Sequence, residues 1–209
     1  MIQWLLVDYG ETISTQLPAD TVNDLADLAG MQRDKLLHRY WQARPAYDLG
    51  QPPATYWSHV LQRDPDDLAP VLDRLTRTDV HGWLHLNSLT LTTLLTHARR
   101  DGVRLAVLSN APEPLAAAIE RCDWSRHFTH RFYSCRLRRA KPDASAFTTV
   151  LTHLEADPRD VLFIDDKAAN TLAAAELGMP TITFTSADTL GRELRLKCGA
   201  GRGDERSPQ

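Results

Sequence analysis

Short unbroken apolar runs alternate along most of the chain with longer stretches whose apolar positions recur at helical spacing. The first run, Trp4 to Val7, predicts a buried strand that ends on Asp8 and turns at Gly10. From about Pro18 to Leu75 the pattern is helical throughout. Pro18, Ala19 and Asp20 open a helix carrying Val22, Leu25, Ala26 and Ala29 on one face, and Gly30 closes it. Leu36, Leu37, Tyr40, Trp41 and Arg44 share a face of a second helix, and the Gly- and Pro-rich stretch Tyr47 to Pro53 predicts a turn. Tyr56, Trp57, Val60 and Leu61 mark a third helix. Asp64-Pro65-Asp66-Asp67 breaks it, and Leu68, Val71, Leu72 and Leu75 mark a fourth. Helices in series with no strand between them predict a small separate bundle.

Past Trp83 the two patterns alternate. Leu91, Leu94, Leu95 and Ala98 form a helical stripe that Asp101-Gly102 ends, and Val103 to Leu108 reads as a strand running into Ser109-Asn110. A helix with Leu115, Ala118 and Ile119 follows, then a weaker strand at Arg131 to Tyr133 and a loop, Lys141-Pro142-Asp143. Phe147, Val150, Leu151 and Leu154 mark the next helix. Val161 to Ile164 is a strand ending on Asp165-Asp166, and Ala168, Leu172 and Ala175 lie on a helix stopped by Gly178 and Pro180. Thr181 to Phe184 is the last strand, and Ser186 is placed to cap a final helix. Strand alternating with helix predicts βαβ units and a parallel sheet, so the bundle is an insertion after the first strand. The Gly- and charge-rich tail from Gly199 is expected to be disordered.

Composition narrows the functional classes. A chain of 209 residues with 43% hydrophobic content supports a sizeable core. Its net charge of −3 offers no electrostatic footprint for nucleic acid or an anionic membrane. Cys122, Cys135 and Cys198 are odd in number and lack metal-like spacing, which fits reduced thiols and a cytoplasmic protein. The amino terminus has no basic and apolar pattern of a signal peptide, and no apolar run is long enough to cross a bilayer.

The polar signals share one kind of position. Asp8, Ser109-Asn110 and Asp165-Asp166 each follow directly on a predicted strand, and in a parallel sheet such ends lie along one rim. Lys141, in a loop before a helix, can reach the same rim. Each piece alone also fits a turn or a helix cap. Together they suggest phosphoryl transfer at a carboxylate. Clustered carboxylates call for a hard cation such as Mg²⁺. Asp8 is placed to attack phosphorus, Ser109 to hold a phosphoryl oxygen, and Lys141 to offset charge on both partners.

With these four segments in order, the sequence resembles the haloacid dehalogenase-like hydrolase superfamily. The motifs are Val7-Asp8-Tyr9-Gly10-Glu11-Thr12, Leu108-Ser109-Asn110, Lys141-Pro142-Asp143, and Phe163-Ile164-Asp165-Asp166 with Asn170 after. The resemblance implies an α/β fold, with a Rossmann-like five-stranded parallel sheet and a four-helix C1 cap inserted in it. Its core would be residues 1–13 and 86–198, its cap 14–85, and its tail 199–209. It implies that Asp8 is the nucleophile and a Mg²⁺ ligand, with the Gly10 backbone carbonyl, Asp166 and Asp165 completing the metal set. Ser109 and Asn110 would bind phosphate, and Lys141 would be the motif lysine. The implied substrate is a small phosphorylated metabolite, handled by a monomer or homodimer.

One departure bears on the chemistry. Most phosphatases of this family carry a second Asp two residues after the nucleophile, and this chain has Gly10 there. General acid–base help is worth roughly 10²- to 10⁴-fold. Some relatives resembling sugar-phosphate phosphatases share the Gly. The dehalogenase branch instead has an aromatic residue at that place and lacks the acidic pair, which counts against a carbon–halogen substrate. A hydrolase of the same fold acting on another bond, and a lapsed enzyme that binds a phosphorylated ligand or a protein partner, stay open as alternatives.

In the predicted cap, Tyr40, Trp41, Tyr47, Tyr56 and Trp57 read first as core, whereas Arg44 suits an acidic or polyhydroxylated substrate if it faces the site. The pairs His81/His85 and His127/His130, the latter in a predicted loop, read as surface or satisfied core residues. Arg136, Arg138 and Arg139 read as a solvated loop.

Overall fold

The computed structural model describes residues 1–199. The expected disorder of 199–209 therefore lies outside the described residues, Gly199 apart, whose backbone ends the last helix. Five strands, β1 (Trp4–Val7), β2 (Arg104–Ser109), β3 (His130–Tyr133), β4 (Val161–Asp165) and β5 (Thr181–Thr183), form one sheet in the order β3-β2-β1-β4-β5. All four pairings are parallel. β1 is the central strand, with Val7 opposite Val107 on one side and Ile164 on the other. This register brings Asp8, Ser109 and Asp165 to a common edge.

The strands are apolar on both faces because both faces are covered. Leu5, Val7, Leu105, Val107, Leu162 and Ile164 point into one core, shared with helices α5 (Ser88–Asp101), α6 (Glu113–Arg121) and α10 (Ala187–Gly199). Trp4, Leu6, Ala106, Leu108 and Phe163 point into the other, against α8 (Ala144–Leu154) and α9 (Ala168–Glu176). A single turn, α7 (Ser134–Leu137), follows β3. Ser186 caps α10 as expected, accepting from the Thr189 N–H at 3.2 Å. Among the described residues no helix is long and apolar enough to cross a membrane.

Between β1 and α5 the chain leaves the sheet and forms α1 (Ala19–Ala29), α2 (Arg33–Asp48), α3 (Pro53–Leu61) and α4 (Pro65–Trp83). The two crossings are tied to each other. Ser14 bridges Leu86, the Thr15 N–H donates to the His85 carbonyl at 2.8 Å, and the Asn87 N–H donates to the Ile13 carbonyl at 2.8 Å. The insertion has its own core, in which Leu36, Tyr40, Tyr56, Trp57 and Leu75 are fully buried. Gly30 ends α1 at φ 62°, a conformation that favours glycine.

Four local expectations are corrected. α2 does not stop before Tyr47 but runs through Pro45 to Asp48. A proline removes one helical bond, yet Tyr47 is buried on the next turn and Arg44 pairs with Asp48 at i, i+4. α4 extends to Trp83, because its last turns bury Asp79, Gly82 and Trp83. His130 opens β3 rather than lying in a loop. The arginine run is not simply solvated: Arg136 bridges Glu113 and Glu120, and Arg138 donates to the Leu49 and Gly50 carbonyls at 2.8 and 3.3 Å.

Polar groups also knit the insertion. The Tyr40 hydroxyl donates to Asp79 at 2.6 Å, and it accepts from Trp83 Nε1 at 2.9 Å and from Arg44. Burial raises the Asp79 carboxyl above its ordinary range despite the Arg44 charge. Removing one member of such a network strands its partner. Asp79→Ala is expected to lower stability by about 1–3 kcal/mol, read as a reduced urea midpoint at unchanged slope.

Candidate active site

The rim of the sheet carries a buried charge cluster. The Lys141 ammonium donates to Asp8 Oδ1 and to Asp165 Oδ2, both at 2.6 Å. It also lies 5.5 Å from the centre of the Phe163 ring. Asp8 sits on the residue after β1 and is fixed by its N–H, which donates to the Ile164 carbonyl at 2.8 Å. Lys141 belongs to the loop before α8, and Asn110 holds that loop with both ends of its amide. Asn110 Nδ2 donates to the Lys141 carbonyl at 2.8 Å, and Oδ1 accepts from the Lys141 N–H at 2.9 Å. Asp143 then caps α8 by accepting from the Ser145 N–H at 2.7 Å.

The acidic pair divides its work. Asp165 is fully buried, and its oxygens accept from Lys141 Nζ, the Lys167 N–H at 2.8 Å, and Asn170 Nδ2 at 2.9 and 3.0 Å. These contacts match the four lone-pair sites of a carboxylate. Asp166 differs, because its buried Oδ1 has no hydrogen-bond partner among the described residues. Asp8, Asp165 and Asp166 each offer an oxygen within 4.8 Å of the others. Of these three carboxylates, Asp8 and Asp165 pair with the Lys141 ammonium. An orphaned oxygen beside such an excess of negative charge fits what a hard divalent cation takes as a ligand.

Burial dominates the electrostatics. It pushes the Asp8 carboxyl up to about 7, with Lys141 pulling down and Asp165 and Asp166 pushing further up. Burial also raises Asp166, and Asp165 adds to it. For Lys141 burial works against the charge, but Asp8 and Asp165 together outweigh it and hold the pKa above its ordinary value.

Above the cluster lies a cavity of about 320 Å³ between the rim and the insertion. Asp8, Gly10, Ser109, Asn110, Lys141 and Asp166 line its floor, so the expected site residues converge, with Asp165 just beneath. Trp41, Arg44 and Asp48 of α2, Leu49 just after it, and Trp83 of α4 line the opposite wall. Arg44 thus faces the cavity, but its Nε donates to Asp48 Oδ1 at 2.7 Å. Burial raises the Asp48 carboxyl against the pull of Arg44. Asp48, Trp83 and Lys167 were not expected from sequence. For Asp48 the signal was present in its position four residues after Arg44, on the same helical face.

The turn after Asp8 also differs from the expectation. Gly10 has ordinary extended backbone (φ −63°, ψ 130°), and the left-handed residue is Glu11 at φ 55°. A non-glycine residue there stores strain, which clusters at functional sites. The Glu11 carboxylate accepts from Gln16 Nε2 at 3.1 Å.

A family model described as haloacid dehalogenase-like hydrolase matches residues 21–178, more than half of the chain. Bifunctional epoxide hydrolase 2 of Sus scrofa is 37% identical over 78 residues, which are 37% of this chain and 14% of that protein. Flavin mononucleotide hydrolase 1 of Arabidopsis thaliana is 31% identical over 101 residues, 48% of this chain and 41% of that protein. The chain therefore spans less than half the length of these relatives. A HAD family enzyme of Bacteroides thetaiotaomicron, solved in complex with magnesium and inorganic phosphate, superposes with a TM-score of 0.70. It covers 88% of this chain and 95% of its own at 19% identity, a likeness of fold.

The raised Asp8 pKa makes a signed prediction. A carboxyl that titrates near 7 when folded and at its ordinary 3.8 when unfolded favours the folded state at low pH. That contribution is lost as pH rises through the interval between the two values. In chelator, Asp8→Asn should therefore gain stability relative to the unsubstituted protein as pH climbs from about 4 to about 7. The gain should be of order 1–4 kcal/mol and level off above, as read by thermal unfolding at graded pH.

Proposed function

We propose that this chain, which belongs to the haloacid dehalogenase-like hydrolase family, is a Mg²⁺-dependent phosphatase of a small phosphorylated metabolite. The observation that carries this reading is the contact of Lys141 with Asp8 and Asp165 beside the unpartnered oxygen of Asp166. The Arabidopsis relative named for flavin mononucleotide hydrolysis supports it. So does the magnesium- and phosphate-bound structure that shares the fold. Asp8, the Gly10 carbonyl and Asp166 would hold the cation, which would neutralise the cluster and draw a phosphate dianion to an anionic nucleophile.

Asp8 attacks phosphorus and forms an aspartyl-phosphate, the leaving oxygen departs, and water hydrolyses the intermediate. Ser109, buried at the cavity floor, holds a phosphoryl oxygen, and the Lys141 ammonium balances charge on both carboxylate and phosphoryl group. Asp165 and Asn110 act through Lys141. Asp165 anchors its ammonium and Asn110 its backbone, so in this reading both are positioning residues. The insertion, as a cap, closes the site from above. Arg44, paired with Asp48, shapes the wall rather than gripping an anion.

Phosphate release from a panel of monoesters should require Mg²⁺ and fall at least about 10³-fold in Asp8→Asn. Release that survives Asp8→Asn or ignores chelator would remove this reading. Gly10→Asp tests the missing acid. A Cβ at Gly10 would meet nothing nearer than a Trp83 ring carbon at 3.9 Å, and the backbone suits any residue. Turnover of alkyl phosphates should rise by about 10²-fold. Unchanged turnover would mean that protonation of the leaving group does not limit the rate.

A further inference from the structure

The cavity over Asp8 has two kinds of surface. Its floor is charged, and its upper wall carries two indole rings, Trp41 and Trp83. Trp41 and Trp83 meet edge to face there, with ring centroids 6.1 Å apart and planes at 82°. Trp41 keeps 46% of its surface exposed, while the aromatic rings of the insertion core are buried. A large ring left open beside a cavity is surface available to a ligand. The ionic groups on this wall are paired with each other, Arg44 with Asp48, and the guanidinium lies over the Tyr40, Trp41 and Trp83 rings. The wall therefore offers a molecule flat apolar contact rather than net charge.

The proton supply points the same way. A departing alkoxide needs a proton, and Gly10 has no side chain to give one. Beyond the charge cluster, two carboxylates line the cavity. Glu11 is tied to Gln16, and Asp48 is tied to Arg44. A leaving group that is stable as an anion needs neither.

We infer that the site is built for phosphate monoesters of planar, apolar and acidic alcohols, that is, aryl phosphates; this rests on the phosphatase reading above. The ring lies against Trp41 and Trp83 while the phosphate sits over Asp8. A bond forms between the Asp8 carboxylate and phosphorus as the bond from phosphorus to the aryl oxygen breaks. The electron pair leaves on that oxygen as an aryloxide, which solvent water protonates. Water then adds to phosphorus and the Asp8–phosphorus bond breaks, giving inorganic phosphate, a proton and the free carboxylate.

The test is phosphate release with Mg²⁺ from three substrates. One is a set of phenyl phosphates of graded phenol acidity. The second is cyclohexyl phosphate, matched in size but with an alkoxide leaving group. The third is acetyl phosphate, which leaves readily but has no ring. Phenyl phosphate should exceed cyclohexyl phosphate in kcat/KM by about 100-fold or more, and Gly10→Asp should shrink that gap at least about tenfold. Trp41→Ala should raise KM for phenyl phosphate about tenfold more than for acetyl phosphate. Cyclohexyl phosphate turned over within a factor of ten of phenyl phosphate overturns the inference. So does a Trp41→Ala effect equal on both KM values. If Asp48→Asn steepens the dependence on phenol acidity, Asp48 has been supplying the proton and the inference falls. Acetyl phosphate separates the two levels of the argument. If it too shows no Mg²⁺-dependent release, the phosphatase reading fails; if it is hydrolysed without an aryl preference, the substrate inference fails alone.

Discussion

An ammonium group held between two buried carboxylates is the constraint on which the rest of this molecule depends. Lys141 cannot be buried as a cation without partners, and Asp8 and Asp165 cannot be buried as anions without it. Their meeting requires β1 and β4 to be neighbours in register, and requires the loop before α8 to bend back over the sheet rim. A slip of one residue in the β1–β4 pairing would turn Asp8 to the other face and leave Lys141 with one partner. The strand side chains are divided between two cores of different residues, so such a slip would also misfit their sizes in close-packed surroundings.

The two cores and the rim were legible because they rest on local patterns. Apolar runs gave the strands, helical stripes gave the covering helices, and an acid or Ser-Asn at a strand end gave the rim. What was not legible depends on contacts distant in sequence. α2 continues through Pro45 because Tyr47 finds a buried seat among residues of other helices, which no local rule contains. Arg138 looked solvated until α2 ended beside it with open carbonyls. The strained turn residue is Glu11 and not Gly10, since which residue turns left-handed depends on where Asp8 must point.

The acidic pair shows how adjacent identical residues acquire different duties. Asp165 ends a strand inside the sheet, and every acceptor site it has is met by protein donors. Asp166, one residue on, is half out of the sheet and keeps an oxygen without a donor. Sequence alone treats the two as a pair. Hydrogen-bond accounting separates an engaged carboxylate from an open one, and it shows the Asn110 amide engaged at both ends.

The seam between the insertion and the rest of the chain has a property of its own. The Ser134 hydroxyl accepts from the Ala111 N–H and donates to the Asp48 carbonyl, and Arg138 reaches the carbonyls of Leu49 and Gly50. Every acceptor that the insertion contributes to these bonds is main chain. Replacing a side chain near the end of α2 therefore leaves the join intact, whereas replacing Ser134 or Arg138 loosens it. The wall at Trp41 and the fastening below it thus rest on different atoms, so the side chains of the one can change while the bonds of the other stay as they are.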